Sequence, residues 1–241
     1  MSPAAEKIFA VVPAYNEEGK IGTVVAAIVK ENIVETVVVV DDGSRDKTFD
    51  EAKRAGAVVI RHEKNRGVGT GIRSGLLWGK QQGYTIAVIL GGDDQDNPHE
   101  IHRLLAPILN DHFLFVQGSR YMPGGARVNI PLFRWITTGL FSFIFKLLTR
   151  FPITDGTNGF RAFRLSILDT PGLDVHQKWL DKYELEPYLY YKSIELGLNV
   201  TEVPVTKRYP KGKVGYTKMV PFLDWWSIIR PLVFLRLGLK K

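Results

Sequence analysis

Two stretches near the amino end decide the fold of this chain: VVPAYNEEGKIG at residues 11–22 and VVVVDDGSRDKT at residues 37–48. In each of them an apolar, β-branched run stops abruptly at acidic and small polar residues. A buried parallel strand ends in this way at the edge of a sheet where ligands bind. The pattern therefore predicts strands that carry a binding site at their carboxyl ends.

The alternation of strands and helices continues to about residue 117. The expected strands are IFAVVPA, TVVVVDD, AVVIRH, TIAVILGG and FLFVQGS, and the expected crossover helices cover residues 16–32, 45–55 and 72–82. Such an alternation predicts an α/β fold with a doubly wound, mostly parallel sheet and helices on both of its faces.

Composition and charge limit the class of protein. The chain has 241 residues, of which 45% are hydrophobic and 24% charged, and this suits one large domain with a sizeable core. The absence of cysteine excludes a disulfide scaffold and a thiolate metal site. A net charge of +7 favours anionic partners such as nucleotides or phospholipid surfaces. Small, polar residues follow Met1, so we expect the catalytic part to be cytosolic.

A third acidic strand end, LGGDDQDNP, occupies residues 90–98. The segments PAYNEE, VVDDGS, N-x-G and this run follow one another at helix-length separations. The arrangement resembles the family 2 glycosyltransferases, and within them the dolichol-phosphate mannose synthase and polyprenyl-phosphate sugar transferase branch. The resemblance implies a GT-A type, Rossmann-like fold with a glycosyltransferase domain over residues 1–219. Residues 1–117 would bind the nucleotide-sugar, and residues 118–219 would face the acceptor.

The resemblance assigns the first two strand ends to the base and ribose of a nucleotide-sugar, either GDP-mannose or a UDP-hexose. The residues it assigns are Pro13, Tyr15, Glu17 and Asp42. Carboxylates accept hydrogen bonds from bases and ribose, and an aromatic ring supplies a stacking face. The glycines of NRGVGTGIRSG at residues 65–75 are no dinucleotide fingerprint, because the first strand-to-helix turn has none. We expect them to let a helix pack closely beside the donor site.

The third strand end is the catalytic centre that the resemblance implies, and it departs from the family pattern. Relatives read D-x-D-x-Q around a divalent ion, whereas this chain has Gly91 in place of the first aspartate. Asp93 and Gln95 are the expected ligands of Mg²⁺ or Mn²⁺, which prefer hard oxygen donors. Asp94 or Asp96 would compensate for the missing carboxylate. A nucleotide-sugar-binding homologue without activity is the alternative that Gly91 raises.

Three later segments match family motifs: GSRYMPGG at residues 118–125, TDGTNGFRAFR at 154–164 and EVPVTKRYPKGKVGYTKM at 202–219. The residues that the resemblance assigns to the acceptor phosphate are Arg120, Arg208 and Lys218. Those that it assigns to the acceptor side of the site are Asp155, Asn158 and Arg161. Arginine suits phosphate because its planar fork donates two hydrogen bonds at once.

These assignments imply an inverting transferase that acts on a polyprenyl or dolichyl phosphate. The phosphate oxygen is already anionic, so attack depends on positioning and charge stabilisation more than on a general base. The expected catalytic residues are Asp93, Asp94, Gln95 and Arg120. A hydroxyl acceptor, in polysaccharide or glycolipid synthesis, stays open as an alternative; it would need a carboxylate base such as Asp94, Asp96 or Asp155.

Two amphipathic segments predict contact with a membrane surface. In PLFRWITTGLFSFIFKLLT at residues 131–149, polar residues recur every four positions, at Arg134, Thr138, Ser142 and Lys146, and leave a broad apolar face. The uncharged interval of 11 residues is shorter than the roughly 20 needed to span a bilayer, so we expect this helix to lie on the membrane. The basic, tryptophan-containing tail at 220–241 has a similar composition. A core or dimer-interface helix is the alternative for both.

We therefore expect an enzyme that is peripheral on the cytoplasmic face of a membrane. Its expected partners are a nucleotide-sugar donor, a polyprenyl phosphate acceptor and the membrane surface. The resemblance also allows a separate membrane-anchoring subunit or a homodimer. Nucleic acid is not an expected partner, because the basic residues cluster with tryptophans and aliphatic residues on helices.

Overall fold

The computed structural model describes residues 6–210 and 223–240. The strands are β1 (Ile8–Ala14), β2 (Thr36–Asp41), β3 (Val58–Arg61), β4 (Ile86–Ile89), β5 (Phe115–Ser119), β6 (Ala126–Val128), β7 (Arg161–Arg164), β8 (Val200–Pro204) and β9 (Thr206–Arg208). The α-helices are α1 (Ile21–Glu31), α2 (Thr48–Arg54), α3 (Val68–Gln81), α4 (Ile101–Asn110), α5 (Leu132–Thr149), α6 (Leu185–Glu195) and α7 (Leu223–Arg236).

Seven strands form one sheet in the order β3-β2-β1-β4-β7-β5-β8, and β6 pairs with β9 in a small second sheet. Every pair in the large sheet is parallel except those of β7, which runs antiparallel between β4 and β5. The prediction of a mostly parallel α/β sheet is confirmed. Because β1 lies between β2 and β4, the carboxyl ends of these three strands meet at one edge.

The core has two layers, one on each face of the sheet. Along β1, Phe9 and Val11 join the layer beneath α3, α5 and α6, whereas Ala10 and Val12 join the layer beneath α1 and α4. All four side chains are fully buried. A strand that is covered on both faces reads as a continuous apolar run, and this is why the amino-terminal strands are visible in the sequence.

Helix α3 packs unusually close to the sheet. A Cβ atom on Gly75 would lie 2.5 Å from Val11 Cγ1, and one on Gly79 would lie 2.0 Å from the ring of Phe9. Neither distance is possible between real atoms, so a larger residue would push the helix away from β1. The expectation that the glycines of residues 65–75 allow close packing is met at Gly75, and Gly79 extends the same contact beyond that stretch. The helix begins at Val68, earlier than the predicted residue 72.

The carboxyl-terminal helix α7 is part of the domain. Leu232 and Leu235 are buried in the same core layer as α5 and α6. Arg230 donates a hydrogen bond to the Trp179 carbonyl oxygen at 3.1 Å and forms an ion pair with the buried carboxylate of Glu184. Residues 223–236 therefore differ from the predicted surface tail, because their apolar side chains and Arg230 face inwards as well as outwards.

Candidate active site

A cavity of about 780 Å³ opens at the carboxyl ends of β1, β2 and β4. One wall carries all four residues that the sequence assigned to the nucleotide, namely Pro13, Tyr15, Glu17 and Asp42. Pro13 lies near the end of β1, and the other three side chains lie in the loops that follow β1 and β2, so α1 and α2 begin later than predicted, at Ile21 and Thr48. The predicted meeting of the strand ends is thus realised in one site.

Asp42 shapes this wall through its own contacts. Its carboxylate accepts hydrogen bonds from the backbone N–H of Arg66 at 3.0 Å and of Gly67 at 2.8 Å. It also lies 2.7 Å from Nδ1 of His62, whose Nε2 is 3.0 Å from Ser74 Oγ. The carboxylate therefore fixes the loop that leads into α3. Sequence reasoning missed His62, although its place directly after β3 at the same sheet edge was visible.

The acidic loop after β4 contributes Gly91, Asp93 and Gln95 to the cavity lining. Burial raises the pKa of Asp93; the charge of Lys207 opposes this rise, and Asp96 adds to it. Asp94 has a left-handed backbone with φ of 61° and an exposed side chain outside the lining. The structure therefore separates Asp94 from the other predicted catalytic residues of this loop.

Lys207 is the cation that meets the acidic loop. Its Nζ lies 2.8 Å from Asp96 Oδ1, and Asp96 Oδ2 accepts the Gly91 N–H at 3.1 Å. The neighbouring backbone is tied to the same loop, because the Arg208 N–H donates to the Gln95 carbonyl oxygen at 2.8 Å. Burial alone would lower the pKa of Lys207, but the charges of Asp96 and Asp93 raise it above its ordinary value, so the ammonium form is favoured.

A divalent ion fits this loop only as part of a complex with a ligand. Among the described residues no group of three or more His, Cys, Asp or Glu side chains could surround a metal ion. Asp93 and Gln95 nevertheless present oxygen donors at the cavity surface. Mg²⁺ is commonly held by one or two carboxylates, with waters and substrate phosphate oxygens as its other ligands. The donor set is suited to that arrangement rather than to an all-protein cage.

A buried ion pair forms the floor of the cavity. The Arg120 guanidinium donates to Asp155 through Nε at 2.7 Å and Nη2 at 2.8 Å, to Tyr209 Oη at 2.6 Å and to Thr157 Oγ1 at 2.6 Å. Burial alone would raise the pKa of Asp155, but the charge and hydrogen bonds of Arg120 hold it below its ordinary value. Arg120 touches the cavity, yet most of its N–H donors are already bound to protein.

The three residues predicted on the acceptor side lie one layer behind the cavity surface. Asp155 is fully buried against Arg120. Asn158 donates its side-chain amide to the Gly118 carbonyl oxygen at 2.9 Å, and Arg161 donates to the carbonyl oxygens of Glu186 and Asn158. These contacts join β5, β7 and α6. In this structure the three side chains support the wall instead of lining it.

Strand β9 directs Lys207 towards the cavity, whereas the sequence predicted that Arg208 would face it. Side chains alternate along a strand, so Lys207 is on one side and Arg208 on the other. Lys207 and Tyr209 line the cavity, whereas Arg208 is exposed and outside the lining. The motif marked this segment as basic without predicting a strand there, so the register of its alternation was not visible in the sequence. Lys218, the other predicted phosphate contact, lies outside the described residues.

Helix α5 presents three of the four residues of its polar stripe to the protein, whereas the fourth, Lys146, is exposed. Arg134 and Thr138 line the cavity, and the Arg134 guanidinium lies 5.4 Å from the centre of the Tyr209 ring. Ser142 is buried and accepts the Gly156 N–H at 3.0 Å. Sequence reasoning had assigned this stripe only to the membrane helix, so it missed Arg134 as a cavity residue.

The far end of the cavity is apolar. Its lining there comes from α5 and α7, through Leu140, Phe141, Ile144, Ile228, Ile229 and Leu232. The two helices contact one another, and the centres of the Phe133 and Trp225 rings lie 5.1 Å apart in a tilted pair between them. One continuous space therefore runs from the acidic strand ends to an apolar cleft.

The sheet order and the acidic strand ends around one cavity define a GT-A type fold. The model of the Glycosyl transferase family 2 matches residues 9–170. The chain therefore belongs to glycosyl transferase family 2 and is a glycosyltransferase, as the motifs predicted.

Curated relatives cover most of the chain. An uncharacterised protein of Methanocaldococcus jannaschii is 34% identical over 85% of this chain and 82% of its own. The UDP-N-acetylglucosamine–dolichyl-phosphate N-acetylglucosaminyltransferase of Methanococcus voltae is 31% identical over 98% of each chain. The polyprenol monophosphomannose synthase of Mycolicibacterium smegmatis is 30% identical over 89% of this chain and 81% of its own.

A solved structure shares the fold. Glucosyl-3-phosphoglycerate synthase from Mycobacterium tuberculosis, in complex with Mn²⁺, UDP and phosphoglyceric acid, superposes with a TM-score of 0.72. The match covers 99% of this chain and 81% of that chain at 19% identity. At this identity the similarity establishes the GT-A type architecture alone.

The floor of the cavity yields a stability prediction. Arg120→Met leaves the buried Asp155 carboxylate without its cation, and breaking a buried pair in this way costs about 3–5 kcal/mol. We expect urea denaturation to show a loss of that size in the free energy of unfolding. The double variant Arg120→Met/Asp155→Asn removes both charges and should recover part of the loss. A single variant within about 1 kcal/mol of the wild type would contradict the role of the pair.

Proposed function

We propose that this enzyme transfers a sugar from a nucleotide-sugar to a polyprenyl phosphate at a membrane surface, with inversion at the sugar. One observation carries the proposal: a single cavity joins the acidic strand ends to an apolar cleft, with cations between them. A lipid phosphate has the matching shape, an anionic head on an apolar chain. The Methanococcus voltae and Mycolicibacterium smegmatis relatives, a dolichyl-phosphate N-acetylglucosaminyltransferase and a polyprenol monophosphomannose synthase, support this acceptor class.

The donor lies at the acidic end in this proposal. Tyr15 offers its ring to the base, while Glu17 and Asp42 accept hydrogen bonds from the base and ribose. Asp93 and Gln95 are the residues that would hold Mg²⁺ or Mn²⁺, which neutralises charge on the diphosphate leaving group when it is bound. The donor is GDP-mannose or a UDP-hexose, and the nucleotide wall described above suits either base.

The acceptor phosphate lies between the donor and the apolar cleft, within reach of Arg134. One of its oxygens attacks the sugar C1; the new C1–O bond forms as the bond from C1 to the diphosphate breaks, and the nucleoside diphosphate leaves with that electron pair. No proton needs to be removed from the nucleophile, because the phosphate is already ionised. Arg120 supports this step through Thr157 and Tyr209, whose side chains it holds at the cavity floor.

Helix α5 supports the membrane part of the proposal. Its outward face is apolar and exposed, with Leu132, Phe133, Phe143 and Leu147 each more than half exposed. Within the described residues it is the one helix long and apolar enough to span a membrane. Its buried Phe141 and Phe145 tie the opposite face to the domain. We therefore propose that α5 lies along the cytoplasmic membrane surface, with the enzyme peripheral and the cleft open towards lipid.

The activity is tested by sugar transfer from radiolabelled GDP- and UDP-sugars to polyprenyl phosphate in detergent, with Mg²⁺, Mn²⁺ or EDTA. We expect labelled lipid from one donor class. Asp93→Ala is expected to lower kcat by about a hundredfold or more, because it removes the half-buried carboxylate that would help to hold the ion on the leaving diphosphate.

Two other outcomes would overturn the proposal. Label that appears only on a hydroxyl acceptor would assign the enzyme to polysaccharide or glycolipid synthesis. Nucleotide binding without transfer to any acceptor would mean that the protein binds nucleotide but, with Gly91 in the acidic loop, has no transferase activity.

Activity that is unchanged in Asp93→Ala would remove this residue from the donor site.

Arg134 and Arg208 make a matched pair for the acceptor phosphate. Arg134→Met should raise the KM for polyprenyl phosphate about ten- to a hundredfold, because a charge-assisted hydrogen bond is worth about 1.5–3 kcal/mol. The KM for the donor should change little. Arg208→Met tests the sequence-based assignment directly, since its side chain points away from the cavity. A larger effect of Arg208→Met than of Arg134→Met would restore the original assignment.

The membrane surface is tested by liposome flotation. Leu147→Glu exposes a charge where we expect acyl chains, so partition into phospholipid vesicles should fall roughly ten- to a hundredfold, the equivalent of about 1.5–3 kcal/mol for one buried leucine. Leu109→Glu on α4 is the control, because that leucine is also exposed but lies on another face of the sheet. Equal effects of the two changes would contradict the docking of α5. Unchanged flotation with an altered oligomeric state would point instead to a homodimer or a membrane-anchoring subunit.

A further inference from the structure

Gly91 leaves a gap in the acidic loop that its neighbours partly fill. An ideal Cβ on Gly91 would lie 3.0 Å from Asp93 Oδ1 and 3.6 Å from Asp96 Oδ2. The Asp96 carboxylate is held in this position by the Gly91 N–H at 3.1 Å. The carboxylates of Asp93 and Asp96 therefore both stand beside position 91, and the one that binds its N–H is that of Asp96.

The Asp96 carboxylate is already paired with a cation. Lys207 Nζ lies 2.8 Å from its Oδ1, and the Asp96 side chain is only 1% exposed while that of Lys207 is 14% exposed. An antiparallel bridge between the two residues and the bond from the Arg208 N–H to Gln95 fix β9 against the loop. These backbone contacts therefore restrict where the ammonium can lie, in spite of the length of the lysine side chain.

Lys207 also faces the cavity, beside Gly91, Asp93 and Gln95. These are the residues around the space assigned to the donor diphosphate. Compared with a D-x-D-x-Q loop, this loop lacks the carboxylate at position 91, and the Lys207 ammonium lies against it. Its net negative charge is therefore smaller than that of a loop with both aspartates and no such ammonium. A diphosphate can therefore approach it with less repulsion.

We propose that the Lys207 ammonium, positioned by Asp96, binds the donor diphosphate directly and sustains donor binding when divalent ions are removed. The inference rests on the proposed function, because it requires a nucleoside diphosphate in this cavity. Asp96 is a positioning residue in this account. Its carboxylate holds the ammonium at the cavity surface. When the donor enters, other N–H groups of the same ammonium donate hydrogen bonds to the phosphate oxygens.

The test is isothermal titration of GDP and UDP into the full chain, with Mg²⁺ or with EDTA. We expect the wild type to lose less than about tenfold in affinity when Mg²⁺ is replaced by EDTA. Lys207→Met should lose about ten- to a hundredfold more in EDTA, the range of one charge-assisted phosphate contact. In Mg²⁺ its loss should be smaller, because the ion shares the charge.

Two further variants separate binding from folding. Lys207→Met leaves the buried Asp96 carboxylate unpaired, so Lys207→Met/Asp96→Asn supplies a charge-balanced form that should show the same loss in EDTA. Asp96→Asn alone keeps the ammonium and a side-chain oxygen that can accept its hydrogen bond, so it should bind at least about as tightly as the wild type. Thermal unfolding of each variant checks that the fold is kept.

The inference is overturned if the charge-balanced double variant binds the nucleotide in EDTA as tightly as the wild type. It is also overturned if the wild type binds in Mg²⁺ but loses all binding in EDTA. Failure of the wild type to bind either nucleotide even with Mg²⁺ would instead overturn the proposed function, and the two failures are therefore distinguishable.

Substitutions at position 91 can be tested by metal binding, without an activity assay. Gly91→Asp adds the missing carboxylate, and Gly91→Ala is its steric control, since both bring a Cβ to within 3.0 Å of Asp93 Oδ1. We expect Mn²⁺ to bind the Gly91→Asp form more tightly, by about tenfold or more in electron paramagnetic resonance titrations with GDP or UDP present. Equal Mn²⁺ affinity of the two variants would mean that a carboxylate at position 91 does not strengthen metal binding. That result would contradict the idea that the Lys207 ammonium supplies positive charge that the loop otherwise obtains from a carboxylate-bound ion.

Discussion

The ion pair between Arg120 and Asp155 is the contact on which the cavity depends. It joins the end of β5 to the loop before β7, and Tyr209 connects it to the strand that carries Lys207. Because both charges are buried, each is stable only in the presence of the other. The pair therefore holds the end of β5, the loop before β7 and Tyr209 together at the floor of the cavity.

From this floor the site is built by strands on one side and helices on the other. The strands β1, β2 and β4 deliver acidic loops to one edge of the sheet, and α3 can lie close to them because Gly75 and Gly79 have no side chains. On the other side α5 turns Arg134, Thr138 and Ser142 inwards and most of its apolar side chains outwards, largely the reverse of an ordinary surface helix. This reversal allows one cavity to be charged at one end and apolar at the other.

The sequence predicted those parts whose signal is local. Buried strands read as apolar runs, and glycines in α3 indicated close packing, so the sheet and the meeting of the acidic strand ends could be foreseen. The directions of the Arg208 and Lys207 side chains could not, because alternation along the three-residue β9 depends on its pairing with β6 and with the acidic loop. Arg134 was missed for a similar reason: the inward direction of its stripe is set by packing of Phe141 and Phe145, not by the helix pattern.

The most direct test of the central claim is photo-crosslinking with a short polyprenyl phosphate that carries a benzophenone near its first isoprene unit. If donor and lipid share the cavity, the labelled peptides should come from α5 and α7 around Ile144 and Leu232, and saturating GDP or UDP should leave that labelling in place. Labelling spread over the protein surface, or confined to peptides outside these two helices, would contradict the account.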